Sequence, residues 1–236
     1  MQKEKIFTPS NLLLALVAMC FLLSFSVVFT LNFRPLYYFD IDHLDIPAMA
    51  AMDEGEIRAN YDELIRYNSI FTREPLEFPT LAMSDNGRIH FEEVKNIFVA
   101  VQVLLGLSFF SLAIGGYKKL KQQKIQFLKI AAVISVAIPF LIGALIALNW
   151  QSFFIIFHEI FFDNDYWIFD AFTDPVITIL PDTFFMHCAI MILSLVLLGS
   201  GIFYFAYRLL KNKKLRLANS AQTALPSEQK PDITSP

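Results

Sequence analysis

An all-α integral membrane fold is predicted, with four transmembrane helices and a small extracytoplasmic cap between the first and second spans. Three observations predict it. Hydrophobic residues make up 56% of the chain, against 17% charged, a balance a water-soluble domain of this length does not carry. The apolar residues fall in four blocks, each long enough to cross a bilayer core, which takes about 20 residues of helix. The lysines and arginines gather at alternate ends of those blocks, as they do in multi-pass proteins.

The elements follow in order. Residues 1–11 form a short cytoplasmic N-terminus carrying Lys3 and Lys5. The first span, 12–32, has no charge between Lys5 and Arg34. It is too long for the apolar region of a signal peptide, and no small-x-small cleavage site ends it. Met19, before Cys20, is too large for a lipoprotein processing site, so the segment reads as a retained helix. Residues 33–95 form the cap, with six basic residues against thirteen acidic ones from Arg34 to Lys95. Within it, Asp45-Ile46-Pro47 reads as a helix start with proline near the first turn. Asp53 to Glu56 reads as a capping box, followed by a helix whose apolar face is Ile57, Tyr61, Leu64 and Ile65. Pro75 and Pro79 break the pattern. Ser84-Asp85-Asn86-Gly87 reads as a tight turn between short strands over Phe78–Ala82 and Arg88–Phe91.

The second span is 96–117, bounded by Lys95 and Lys118, and 118–129 is a basic loop with five lysines. The third span is 130–152. Pro139 and Gly143 permit a kink in it, and its apolar run continues through Phe157, so its end must tilt or turn along the interface. Residues 153–182 form an outer loop of interleaved aromatics and acids. Phe161, Phe162, Tyr166, Trp167, Phe169 and Phe172 suit the headgroup level and could also wall a pocket for acyl chains, and Asp163 to Asp182 contains five acids and no lysine or arginine. The fourth span is 183–207, and 208–236 is a cytoplasmic tail, basic at first and disordered from Leu217. Every basic cluster thus falls on one side, predicting both termini in the cytoplasm.

Composition also excludes several functions. The net charge of −3 and the topological use of the cations leave nothing for nucleic acid. Cys20 and Cys188 sit in separate spans without a CxxC, which argues against thiol redox chemistry. There is no GxSxG elbow, HExxH or glycine-rich phosphate loop. What remains are His90 before the second span, His158 at the outer end of the third, His187 one turn into the fourth, and His43 in the cap. Any one histidine at an interface is as readily structural as functional. Several at one depth are harder to dismiss, because ionisable groups near the apolar zone are costly. Among the outer acids, most of which suit a solvated loop, Asp174 before Pro175 is the candidate to orient a histidine ring. Arg34 either ends the first helix or holds a phosphate or oxyanion.

The stretch Ile89-His90-Phe91-Glu92-Glu93-Val94, together with Phe157-His158-Glu159-Ile160-Phe161-Phe162, Asn164, Trp167, Asp174-Pro175 and Leu180-Pro181, resembles the bacterial lipoprotein intramolecular transacylase family. The four-span layout with an outer cap fits as well, from about Leu12 to Leu210. The resemblance implies an acyltransferase that moves the sn-2 O-acyl chain of a diacylglyceryl-cysteine onto that cysteine's own α-amine. It implies catalysis by His90 and His158; Arg34, Asn164, Trp167 and Asp174 are the residues expected to support them or bind substrate, and no metal or cofactor is expected. His158 is expected as base and acid and His90 as oxyanion or relay partner, though the roles are interchangeable at this level. The implied partners are a diacylated lipoprotein and membrane lipids, and the expected state is a monomer in the bacterial cell membrane. Two other readings compete. A membrane zinc hydrolase would use His90, His158 and His187. A non-enzymatic channel or transporter subunit would need polar residues deep in the spans, which hold chiefly Gln102 and Asn149.

Overall fold

A computed structural model describes residues 7–223, and these fold into nine helices with no strand. They are α1 (Pro9–Asn32), α2 (Arg34–His43), α3 (Ile46–Ala50), α4 (Glu54–Tyr67), α5 (Asp85–Lys121), α6 (Gln126–Leu148), α7 (Trp150–Phe161), α8 (Val176–Ile179) and α9 (Asp182–Thr223). Four of them, α1, α5, α6 and α9, are long and apolar enough to cross a membrane. With lipid outside, a bundle gains little from burying leucine and relies on close approach and interhelical hydrogen bonds. Both occur here. Ala15 and Ala18 on α1 are fully buried, and a Cβ on Gly199 of α9 would overlap the Leu22 side chain. Ser200 donates a 2.6 Å bond to the Ala132 carbonyl, joining α9 to α6.

The two ends of the bundle differ. At one end Lys119 reaches Ser10 and Asn11 at 2.8 and 2.7 Å, and Lys214 reaches the Gln123 carbonyl, so the lysine-bearing helix ends meet. The other end carries the cap. Its core combines Tyr37 and Ile41 of α2, Ile46 of α3, and Ile57, Tyr61, Leu64 and Ile65 of α4 with Val176 and Ile179 of α8 and with Phe91 and Phe184. Tyr37 stacks on Tyr61 at 3.7 Å and donates to the Ile179 carbonyl at 2.7 Å. The cap is therefore built from two chain segments, the second contributed by the long outer loop. The expected apolar face of α4 is all buried within it.

Several local expectations change. Asp53 does cap α4, accepting from the amides of Gly55 and Glu56. Asp45 starts α3 in the left-handed region with φ 52° and no side-chain cap. Ser84 is the N-cap of α5, accepting from the Gly87 amide at 3.0 Å, rather than part of a hairpin tip. The flanking strands do not form: Arg88–Phe91 is already helix, because a capping serine outcompetes a turn when a long helical sequence follows. The apolar run after the third span does not simply tilt. Asn149 adopts φ −165° and ψ 103°, ends α6, and caps α7 by accepting from the Ser152 amide. Pro139 lies inside α6, which continues through it. The tail was expected to be disordered from Leu217, but α9 continues to Thr223; residues 224–236 lie outside the described part.

Candidate active site

The histidines of α5 and α7 meet beneath the cap. His90 lies on the second turn of α5, beyond the Ser84 cap, and is only 6% exposed. His158 lies near the end of α7, the short helix released by the break at Asn149. Their ring centroids are 6.2 Å apart. Aromatic rings enclose them. Phe162 lies 4.7 Å from His90 and 5.7 Å from His158. Phe169 meets His90 edge-on at 5.4 Å. Trp167 stacks on His158 at 4.6 Å, and Phe154 lies 4.3 Å from it. Of the loop aromatics, Phe162, Trp167 and Phe169 wall this site, whereas Phe161 and Phe172 are exposed.

Hydrogen bonding separates the two imidazoles. His158 Nδ1 lies 2.7 Å from the Phe154 carbonyl. A carbonyl can only accept, so the proton belongs on Nδ1 and Nε2 keeps its lone pair. Burial pushes the His158 pKa below the ordinary 6.5, against the opposing effect of that carbonyl bond, so the ring is neutral and basic near pH 7. His90 Nδ1 is buried and has no hydrogen-bond partner among the described residues. One ring is thus committed through one nitrogen, and the other holds an unspent polar atom.

The supporting residues divide. Trp167 is in the site. Asn164 is close by, its amide donating to Glu93 on α5 at 2.9 Å. Asp174 does not orient a histidine. It accepts from the Ser84 amide and the Thr173 hydroxyl, both at 2.8 Å, and so clamps the start of α5. Arg34 is engaged in the cap, paired with Asp62 at 2.6 Å, with Tyr38 donating to the same carboxylate. His187 pairs with both oxygens of fully buried Asp40 at 2.9 Å, its ring 6.0 Å from His43. Among the described residues no group of three or more His, Cys, Asp or Glu side chains could hold a metal ion, so the three-histidine zinc site does not assemble. Phe154 and Phe162 belong to the outer end of the third span, Trp150 through Phe162, which the sequence places in the active site; in a chain with 25 phenylalanines it does not say which of these rings touch the histidines.

Comparison with known proteins bears on the family and the fold. A family described as Lipoprotein intramolecular transacylase Lit matches residues 12–185. None of the curated proteins matches the chain. Among solved structures, the membrane integral lipoprotein intramolecular transacylase Lit from Bacillus cereus superposes with a TM-score of 0.86 at 40% identity, covering 88% of this chain and 96% of that one. The chain belongs to the lipoprotein intramolecular transacylase family. Two further Bacillus cereus Lit structures, each with one histidine replaced (by arginine in one, by alanine in the other), match with TM-scores of 0.80 at 39% identity. They cover 89% and 88% of this chain and 93% and 94% of their own. Like them, this transacylase is a multi-pass membrane protein, and its activity is an acyl transfer within a lipoprotein.

The Asp40–His187 contact links the cap to the bundle of this transacylase. It ties α2 of the cap to the first turns of α9. Removing the acceptor of a hydrogen bond at a buried position costs about 1 to 3 kcal/mol. Asp40→Ala is therefore expected to lower the thermal unfolding midpoint of the detergent-solubilised protein clearly, with little change in rate per folded molecule. A loss of rate without a loss of stability would move His187 into the chemistry.

Proposed function

We propose that this transacylase moves the acyl chain from the sn-2 ester of a diacylglyceryl-cysteine to the α-amine of the same cysteine, leaving an N-acyl lyso-form lipoprotein. The observation that carries the reading is the His90–His158 pair, 6.2 Å apart in an aromatic enclosure, with His158 Nδ1 committed to a carbonyl and its Nε2 left basic. The neutral amine attacks the ester carbonyl, forming C–N. His158 Nε2 takes a proton from the nitrogen. His90 donates to the oxyanion. As C–O breaks, the proton held by His158 passes to the departing glycerol oxygen. No atom is left over, and ester-to-amide exchange is downhill, so no energy source is needed. Both reacting groups belong to one molecule, so holding them together can supply several kcal/mol of the barrier.

Charge supports an orientation as well. Lys118, Lys119, Lys121, Lys213 and Lys214 lie at the bundle end away from the cap, which the bias of cations toward the cytoplasm makes the inner side. The histidines then stand at the outer interface, where lipoprotein N-termini sit in lipid. Arg34, bound to Asp62, has no direct part in this scheme.

Mass spectrometry of lipoprotein N-terminal peptides from cells producing this chain tests the proposal. The expected product carries one N-acyl and one O-acyl chain, and it disappears with His90→Ala or His158→Ala. Persistence in both variants would overturn the assignment. A pH profile tests the base. Because His158 titrates below 6.5, kcat/KM is expected to rise with the substrate amine, whose pKa is about 7.7 to 8.0, and then to level off. A rising limb that stays fixed when the amine pKa is altered would contradict this.

A further inference from the structure

Glu93 stands three positions after His90 on α5, which places the two on neighbouring sites of one helix face. One carboxylate oxygen, Oε1, accepts from the Asn164 amide at 2.9 Å. Asn164 is itself fixed, because its carbonyl oxygen accepts from the Tyr166 backbone amide at 3.1 Å, which leaves its NH₂ facing Glu93. The second oxygen, Oε2, is buried and has no hydrogen-bond partner among the described residues. The ion pairs of the described residues do not include Glu93. A buried carboxylate oxygen without a donor costs free energy, and such a group in a folded protein calls for an explanation.

Asn164 follows shortly after Phe162, which touches both histidines, and precedes Trp167, which stacks on His158. The segment that pins Glu93 therefore also walls the reacting pair. A carboxylate on the helix face of His90, held by the loop that walls both imidazoles, suits a primary α-amine as ligand. It arrives largely as an ammonium near pH 7, and its nitrogen becomes positive again when it attacks the ester, until a proton leaves.

We propose that Glu93 Oε2 is the binding site for the α-ammonium of the substrate's N-terminal cysteine and stabilises the positive nitrogen of the attacking amine, with Asn164 as the positioning residue. Glu93 removes no proton in this role; the base remains His158. The inference rests on the acyl-transfer reading above, because that reading brings the amine to the histidines. It explains how a pocket walled by apolar rings registers the charged end of a lipid-anchored chain and not the tails alone.

The test separates binding from reaction. The probes are two diacyl lipopeptides with ether links at both glycerol positions, which cannot react. One carries the free α-amine and the other has hydrogen in its place. A charge-assisted hydrogen bond contributes about 1.5 to 3 kcal/mol, so the wild-type protein in detergent is expected to bind the amine form roughly 10- to 100-fold more tightly. Glu93→Gln, which keeps an oxygen for Asn164, is expected to bind both forms alike, and kcat/KM on the ester lipopeptide is expected to fall by a similar factor. Glu93→Asp in the same assay is expected to recover part of the preference. An amine preference that survives in Glu93→Gln, or is absent from wild type, would overturn the proposal. The acyl-transfer reading is judged separately, by the mass of the product that wild type makes from the ester lipopeptide.

Discussion

His158→Ala is expected to lower the initial rate of acyl transfer by about 10²- to 10⁴-fold, the range typical of losing a positioned general base or acid. The imidazole lies between Trp167 at 4.6 Å and Phe154 at 4.3 Å, with its Nδ1 proton on the Phe154 carbonyl. Alanine removes the lone pair on Nε2 and leaves the enclosure without a group to move the amine proton to the departing alkoxide. His90→Ala should cost a comparable factor by removing the donor to the oxyanion. The double variant should be little worse than either single one, because residues that act as a unit do not contribute independently. Rates measured by product mass on a detergent-solubilised diacyl lipopeptide decide the matter. A His158→Ala protein within about tenfold of wild type would remove His158 from the role of base.

The second large effect lies away from the chemistry. Asp174 is 3% exposed and holds the Ser84 amide at 2.8 Å, while Ser84 caps the Gly87 amide at 3.0 Å. Gly87 precedes His90 by three residues, and a Cβ there would overlap the Asp174 carboxylate. The loop after Phe169 is thus locked to the turn of helix that aims His90. Asp174→Ala leaves the half-buried Ser84 amide without its acceptor, which costs about 1 kcal/mol or more, and frees the start of α5. A displacement of about 1 Å at a reacting group can cost roughly 10²-fold in rate, so Asp174→Ala should lose both stability and activity. Asp174→Asn keeps an acceptor for Ser84 and should recover much of both. Gly87→Val should resemble Asp174→Ala, since its side chain must displace that carboxylate. Thermal unfolding together with initial rates checks the pair. An Asp174→Ala protein with full activity would show that this clamp does not position His90.

The four spans were legible because charge marks their ends: Arg34, Lys95 with Lys118, and Arg208 bound blocks that nothing polar interrupts for long. The buried face of α4 was legible because its apolar residues recur at helical spacing. Elsewhere local chemistry was ambiguous. Ser84-Asp85-Asn86-Gly87 serves a hairpin tip or a helix cap equally well, and only the 37-residue helix after it decides. Asn149 is one polar residue in a long apolar run, so the break that frees α7 and delivers His158 left little trace. His90 and His158 could be paired by their placement at the ends of spans and by resemblance. The partners of Asp174, Arg34 and His187 could not, because each is chosen by a contact between segments distant in the chain: Ser84, Asp62 and Asp40. The same holds for Glu93, whose meaning depends on Asn164 arriving from the far loop.

The most direct test of the whole account follows one acyl chain. A diacyl lipopeptide with an isotopic label only in its sn-2 chain is incubated with the purified transacylase, and the product is sequenced by tandem mass spectrometry. The label is expected in amide linkage on the cysteine nitrogen, with the unlabelled sn-1 chain still esterified, and His90→Ala or His158→Ala is expected to form little labelled amide in the same time. Label retained on glycerol, label released as free acid, or amide formed equally well by both variants would contradict the account.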